Sequence, residues 1–329
     1  MHIDFVGPSN FDEIYRPVME GLAGEGHDLR RFPVVPRYRD EAEPASLDIL
    51  VGIGPFRVDG SFMDRAPRLR ALVSPVIGTD VFDEAAASAR TVLVANAQMP
   101  ESYISMAEAA VLLILAALYD LPRAQRILAD SAPRPHPLPG RMLMNKTVGL
   151  IGFGQIAQAV AARLEPWGCR MVATVRTPRV LPAHVESVPL DTLLAGADVV
   201  VVLTELNGQT RGMLGLDRLR LMKPDVAFIN VSRGGIAPDA ALVELARERP
   251  EMRLALDVFD VEPLPKESAL RALPGAILTP HMVGHTRESH ALFPVVLLET
   301  LRRVMKGVAP QYVRNPAILP SWRAKWAGG

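Results

Sequence analysis

Residues 147–157 read TVGLIGFGQIA: an apolar run, a tight glycine turn, and the start of a helical stretch that continues to Leu164. Gly152, Gly154 and Ala157 stand at the positions of a G-x-G-x-x-G/A pattern between a strand and a helix. Each position has a physical task. Gly152 permits the turn, Gly154 lets the backbone approach a pyrophosphate, and Ala157 lets the helix pack closely on the sheet. The N–H groups at the helix start then face the phosphates. This stretch predicts a dinucleotide-binding α/β sheet.

Outward from the turn, apolar runs recur at helix-length spacing. Candidate strands are 147–151, 171–175, 198–203, 227–231, 254–258 and 276–279, six in all. Solid apolar runs of this kind suit strands covered on both faces. Upstream, strand candidates at 2–6, 48–53, 70–74 and 92–95 alternate with helical stretches near 11–24, 60–66 and 79–88. That is a second parallel α/β block. Residues 131–140, SAPRPHPLPG, carry four prolines and predict a loop. The apolar run Ala109–Tyr119 is shorter than the ~20 residues that span a bilayer, and Ser105 and Glu108 before it have capping-box spacing. The helical stretch 287–306 is too little for a domain and is expected to return to the first block. The expected division is 1–99 plus 287–329 for one domain and 100–286 for the other.

Composition sets limits. Lys and Arg number 36, and Asp and Glu also number 36. Such a balance argues against a nucleic-acid or anionic-membrane surface. One cysteine, Cys169, permits neither an intrachain disulfide nor a multi-thiolate zinc site. With no targeting segment in view, the expected location is cytoplasmic, and no metal is expected.

In a dinucleotide fold an acidic residue lies ~20 positions past the glycine turn and holds the ribose hydroxyls. Here the sequence is Thr174-Val175-Arg176-Thr177-Pro178-Arg179, with no acid. Arg176 and Arg179, with Thr177, suit the 2′-phosphate of NADP(H), because guanidinium groups bind phosphate as a fork. The other reading of these residues is a solvated basic loop. NADP(H) is the expected cofactor, with NAD(H) possible.

Three further segments end apolar runs: FINVSRGG (228–235), LDVFDVEPL (256–264) and LTPH (278–281). Ligands of open α/β sheets sit at the carboxyl ends of the strands, so Arg233, Glu262 and His281 are expected to converge there. Arg233 can grip a carboxylate and polarise the carbonyl beside it. His281 can exchange the proton that ketone reduction needs, oriented by Glu262. Taken singly, each has a plainer structural reading, and His285 and His290 are nearby competitors. Their joint occurrence at successive strand ends is what points to catalysis.

These segments resemble, in order and spacing, the D-isomer-specific 2-hydroxyacid dehydrogenase family, over nearly the whole chain. The tail Asn315–Trp322 is also similar to family members. The resemblance implies a flavodoxin-like substrate domain and a Rossmann doubly wound cofactor domain, with a cleft between them. It also implies a triad of Arg233, Glu262 and His281, and a homodimer built through the cofactor domain. By the same resemblance Gln155, Ile156, Thr204, Val231 and Asp257 join the cofactor site, Asp257 by shaping or tuning it. Val76, Ile77 and Gly78 are implied to receive the substrate carboxylate through backbone N–H groups. Arg57, after the 48–53 strand, is a candidate second anion contact, its plainer reading being an exposed arginine. Glycine is usual in the family where Val76 stands, which puts the backbone of that loop in question.

The implied activity is an NADP(H)-preferring reduction of a small 2-keto acid, such as glyoxylate or hydroxypyruvate, to the D-2-hydroxy acid. The alternative is a dinucleotide-sensing protein, similar to corepressor members of the family, without turnover.

Overall fold

The computed structural model describes residues 1–33, 38 and 42–326. The chain divides into two compact units, Met1–Ser102 with Thr286–Gly329, and Tyr103–His285. The sequence reading placed the boundaries at 99/100 and 286/287.

The first unit holds a five-stranded sheet: β1 (His2–Val6), β2 (Asp28–Phe32), β3 (Ile49–Gly52), β4 (Ala71–Ser74) and β5 (Leu93–Asn96). The order is β2-β1-β3-β4-β5, and every pairing is parallel. This is the flavodoxin-like order, with connecting helices Asp12–Leu22, Gly60–Asp64 and Glu84–Ala89. β1, β3, β4 and β5 are buried throughout, as parallel strands covered on both faces must be. β2, the edge, reads DLRRF and is only partly covered, with Asp28 exposed; it lacks the apolar run by which the other four declare themselves.

The Arg287–Met305 helix completes this unit. Its Leu297, Leu301 and Val304 enter the same core as Ile3, Phe5 and Val51. Arg302 donates to the Gly21 carbonyl at 2.9 Å, tying this helix to Asp12–Leu22. Beyond it, Asn315 accepts from Val94 N–H and donates to the Val92 carbonyl, each at 2.9 Å. Trp322 is fully buried, and its indole N–H donates to the Arg70 carbonyl at 2.7 Å. The family-like tail is therefore a cover for the sheet.

The second unit holds seven parallel strands, not the six expected: β6 (Thr147–Ile151), β7 (Arg170–Thr174), β8 (Val185–Ser187), β9 (Val199–Val202), β10 (Ala227–Asn230), β11 (Arg253–Leu256) and β12 (Ile277–Leu278). Their order is β12-β11-β10-β9-β6-β7-β8. The direction reverses between β6 and β9, the doubly wound switch point where such sheets take their ligands. The unforeseen β8 is a three-residue edge with two exposed residues, too short and polar to read from sequence.

The helix at Pro100–Leu118 is longer than its apolar run. By length and composition alone it could cross a membrane, yet Ala107, Ala110, Leu113, Ile114, Ala117 and Leu118 pack into the core of the second unit. The expected capping box is not formed. Pro100 opens the helix, a position that suits its missing N–H. Ser105 lies inside and donates to the Gly284 carbonyl at 2.8 Å, and Glu108 pairs with Arg163 at 3.1 Å.

Candidate active site

β10, β11 and β12 are neighbours in register, so the turns at their carboxyl ends lie side by side. The first turn carries Arg233. Buried Asn230 ends β10 and shapes the turn, accepting from Ser232 N–H at 3.1 Å and donating to the Arg233 carbonyl at 3.0 Å. The Ser232 hydroxyl donates to the Thr204 carbonyl, joining this turn to the one after β9. Gly234 is required by close approach: a Cβ there would lie 1.9 Å from the carbonyl carbon of Phe259.

The second turn carries Glu262. One carboxylate oxygen accepts from Phe259 N–H at 3.1 Å, and the other lies 2.6 Å from His281 Nδ1. Burial pushes this carboxyl up. The hydrogen bond and charge of His281, the Phe259 N–H and the Arg233 charge outweigh that and hold it below its ordinary value. An ionised carboxylate only accepts, so Nδ1 carries the proton toward Glu262 and Nε2 is left for a reactant.

His281 follows β12 with φ +54°, in the left-handed region that non-glycine residues seldom adopt. Fully buried Asp257 supports this conformation. Its carbonyl accepts from His281 N–H at 2.8 Å. Its Oδ1 accepts from the Thr279 hydroxyl (2.6 Å), Met282 N–H (3.0 Å) and Val283 N–H (3.2 Å). The structure thus brings the Glu262–His281 pair together and sets Arg233 within its electrostatic reach.

The same strand ends suit a dinucleotide. Gly152 has φ +91°, and a Cβ there would meet the Leu203 carbonyl oxygen at 2.9 Å, so the turn admits only glycine. A Cβ at Gly154 would meet nothing within 4 Å, leaving open space before the Gln155–Leu164 helix, which no side chain caps. Ala157 is fully buried against the sheet. Asp257 Oδ2 is buried with no hydrogen-bond partner among the described residues, as a group awaiting a ligand donor would be. Gln155 is exposed beside the turn, while Ile156 and buried Val231 pack in the core, so their side chains serve packing. Arg176, Thr177 and Arg179 are exposed just past β7. The Arg179 guanidinium stands 5.6 Å from the centre of the Phe153 ring, a cation–π arrangement on the glycine loop itself.

Residues 111–283, just over half the chain, match the family model of the D-isomer specific 2-hydroxyacid dehydrogenase NAD binding domain. The chain belongs to the D-isomer-specific 2-hydroxyacid dehydrogenase family.

Glyoxylate reductase of Thermococcus onnurineus is 30% identical over 304 residues, covering 89% of this chain and 88% of that one. D-3-phosphoglycerate dehydrogenase of Archaeoglobus fulgidus is 32% identical over 268 residues, 80% of this chain but 50% of that protein. This dehydrogenase-family chain therefore spans about half the length of the phosphoglycerate dehydrogenases it matches. Among solved structures, the NADPH-dependent glyoxylate/hydroxypyruvate reductase of Sinorhizobium meliloti, crystallised with citrate, aligns with a TM-score of 0.77 at 26% identity. That alignment covers 97% of this chain and 98% of that one.

The loop at residues 74–80, expected from the sequence to receive substrate, lies in the first unit. Val76 has no positive φ, so its backbone conformation does not require glycine, and its side chain packs partly into the core. Ser74 accepts from Val76 N–H at 3.3 Å, and Asn96 donates to the Ile77 carbonyl at 2.7 Å, bracing the loop that leads to Gly78. Arg57 is exposed and paired with Asp83 at 3.3 Å. Sequence reasoning did not single out Asn230 or Asn96. Each is a buried polar residue ending an apolar strand, which is the one signal that could have marked them.

Proposed function

We propose that this chain is an NADP(H)-preferring oxidoreductase that reduces a small 2-keto acid, such as glyoxylate or hydroxypyruvate, to the D-2-hydroxy acid. The reading rests on one observation: the Glu262–His281 pair, 2.6 Å apart, stands one strand end away from Arg233. When bound, the nicotinamide supplies or receives the hydride. Arg233 binds the substrate carboxylate and polarises the adjacent carbonyl. His281 gives a proton from Nε2 to the developing alkoxide, and in the reverse direction takes the hydroxyl proton there. Glu262 fixes the ring through Nδ1 and favours the imidazolium.

Preference for NADP(H) rests on Arg176, Thr177 and Arg179 where an acid would hold a ribose, with the Phe153 contact holding Arg179. The NADPH dependence of the Sinorhizobium relative points the same way. A homodimer through the cofactor domain is supported by exposed apolar side chains between residues 112 and 144, among them Leu112, Tyr119, Leu128, Leu138 and Met142.

The test is oxidation of NADPH, and separately NADH, with glyoxylate, hydroxypyruvate, its 3-phosphate, pyruvate and phenylpyruvate. Turnover is expected to be fastest with NADPH and to fall about 10³-fold in His281→Ala. Arg176→Ala with Arg179→Ala is expected to cost about tenfold or more in kcat/KM for NADPH and little for NADH. Tight dinucleotide binding with no turnover on any acid would replace this reading with a sensing role.

A further inference from the structure

The turn that carries Glu262 is held from behind by a second carboxylate pair. Asp239 is the first residue of the Asp239–Glu248 helix. Its backbone N–H donates to Asp260 Oδ2 at 2.8 Å, and Asp260 N–H donates back to Asp239 Oδ2 at 3.2 Å. These two bonds join the start of the helix to the turn after β11. The next residue back, Phe259, uses its N–H to hold Glu262 Oε1, and Glu262 Oε2 holds His281. Gly234 presses against the Phe259 backbone beside Arg233, so the segment is fixed from both neighbouring turns.

We propose that Asp239 and Asp260 are a positioning pair for the reaction: they fix the turn that aims Glu262 at His281, and the charge on Asp239 sets the pH dependence of that dyad. The pair is not catalytic, since neither residue touches the reacting atoms, and the inference rests on the catalytic reading of Glu262 and His281. Asp239 Oδ1 is buried and has no partner among the described residues. Burial, opposed by the Asp260 N–H and reinforced by the charges of Asp260 and Glu262, pushes the Asp239 carboxyl up to about 6. Its charge therefore changes in the pH range where imidazole chemistry operates. The groups around it are Asp260 and Glu262 from the turn after β11, with Glu244, Arg247 and Glu248 of its own helix lining the same surface groove as Ser268. Arg233 acts on Glu262 from the turn after β10.

The sign follows from charge. An uncharged residue at 239 removes a negative charge within reach of Glu262, so the basic limb of the reduction moves to lower pH. The experiment measures kcat and KM for NADPH-driven keto acid reduction from pH 5 to 9 in the full chain, for Asp239→Asn, Asp239→Ala and His281→Ala. Asparagine can still accept from Asp260 N–H. It is expected to keep kcat near the parent value while moving the basic limb of kcat/KM down by about half a pH unit. Alanine loses the acceptor and is expected to lower kcat roughly tenfold to a hundredfold at little changed KM. An unmoved basic limb in Asp239→Asn, with His281→Ala inactive, overturns the pair and leaves the dyad standing. Should alanine fail to fold, the asparagine limb alone decides. An active His281→Ala overturns the catalytic reading itself.

Discussion

The two units apply one parallel α/β plan to different ends. In the second, polar groups gather at the carboxyl ends of the strands and stay partly open: the Glu262 and His281 side chains are 35% and 37% exposed. In the first, the strongest polar groups are closed off. Fully buried Asp4 binds His2 at 2.8 Å and the Tyr38 hydroxyl at 2.8 Å, and burial pushes its carboxyl up. Asp48 accepts from His2 N–H at 2.9 Å and pairs with Arg68 at 3.2 Å. The polar network of one unit is sealed, and part of that in the other stays open to solvent. The difference lies in whether water and ligands can reach them.

The largest expected effect comes from Gly234→Ala, which puts a methyl into the Phe259 backbone. Turnover should fall more than about 100-fold, because Arg233 and Glu262 are displaced together. The first unit should resist proteolysis as before, and accelerated cleavage there would break the contrast.

Trp322→Ala is the converse. Removing a fully buried tryptophan should cost about 3–5 kcal/mol of stability, read by denaturant unfolding. NADPH affinity, measured by calorimetry, should stay within about twofold, since no cofactor residue is touched. A parallel loss of affinity would show that the units are not independent in this respect.

The smallest effect sharpens the comparison through pH. Glu262 is held below its ordinary value when folded, so its contribution to stability is present above the ordinary glutamate pKa and is lost as pH falls through the folded one. Glu262→Gln should therefore be slightly less stable at pH 7, by less than about 1 kcal/mol for so exposed a pair, and the gap should close in acid. A gap that persists at low pH would assign the loss to packing.

Sequence legibility follows the same division. The glycine turn and the triad strands could be read because their signals are local: an apolar run, then a residue of the right chemistry within a few positions. β2 and β8 escaped because edge strands need no continuous apolar run, and DLRRF and VES offer none. Asn230, Asp239 and Asp260 escaped for another reason. Their roles exist only as hydrogen bonds, and Asp239 meets Asp260 across 21 residues of chain. Ser105 and Glu108 had capping spacing without a cap, because Pro100 started the helix earlier. The unusual Val76 raised a question that the backbone answers, since no left-handed residue occurs there.

The first unit is also spelled at both ends of the chain. Its sheet comes from the first hundred residues, but Leu297, Asn315 and Trp322, which cover that sheet, come last. During synthesis, domains generally form as their residues emerge. Here the contiguous Tyr103–His285 unit can finish its seven strands while β4 and β5 still await Trp322 and Asn315. On the ribosome the order of completion is thus inverted: the cofactor sheet closes first, and the earliest strands are the last to be sealed.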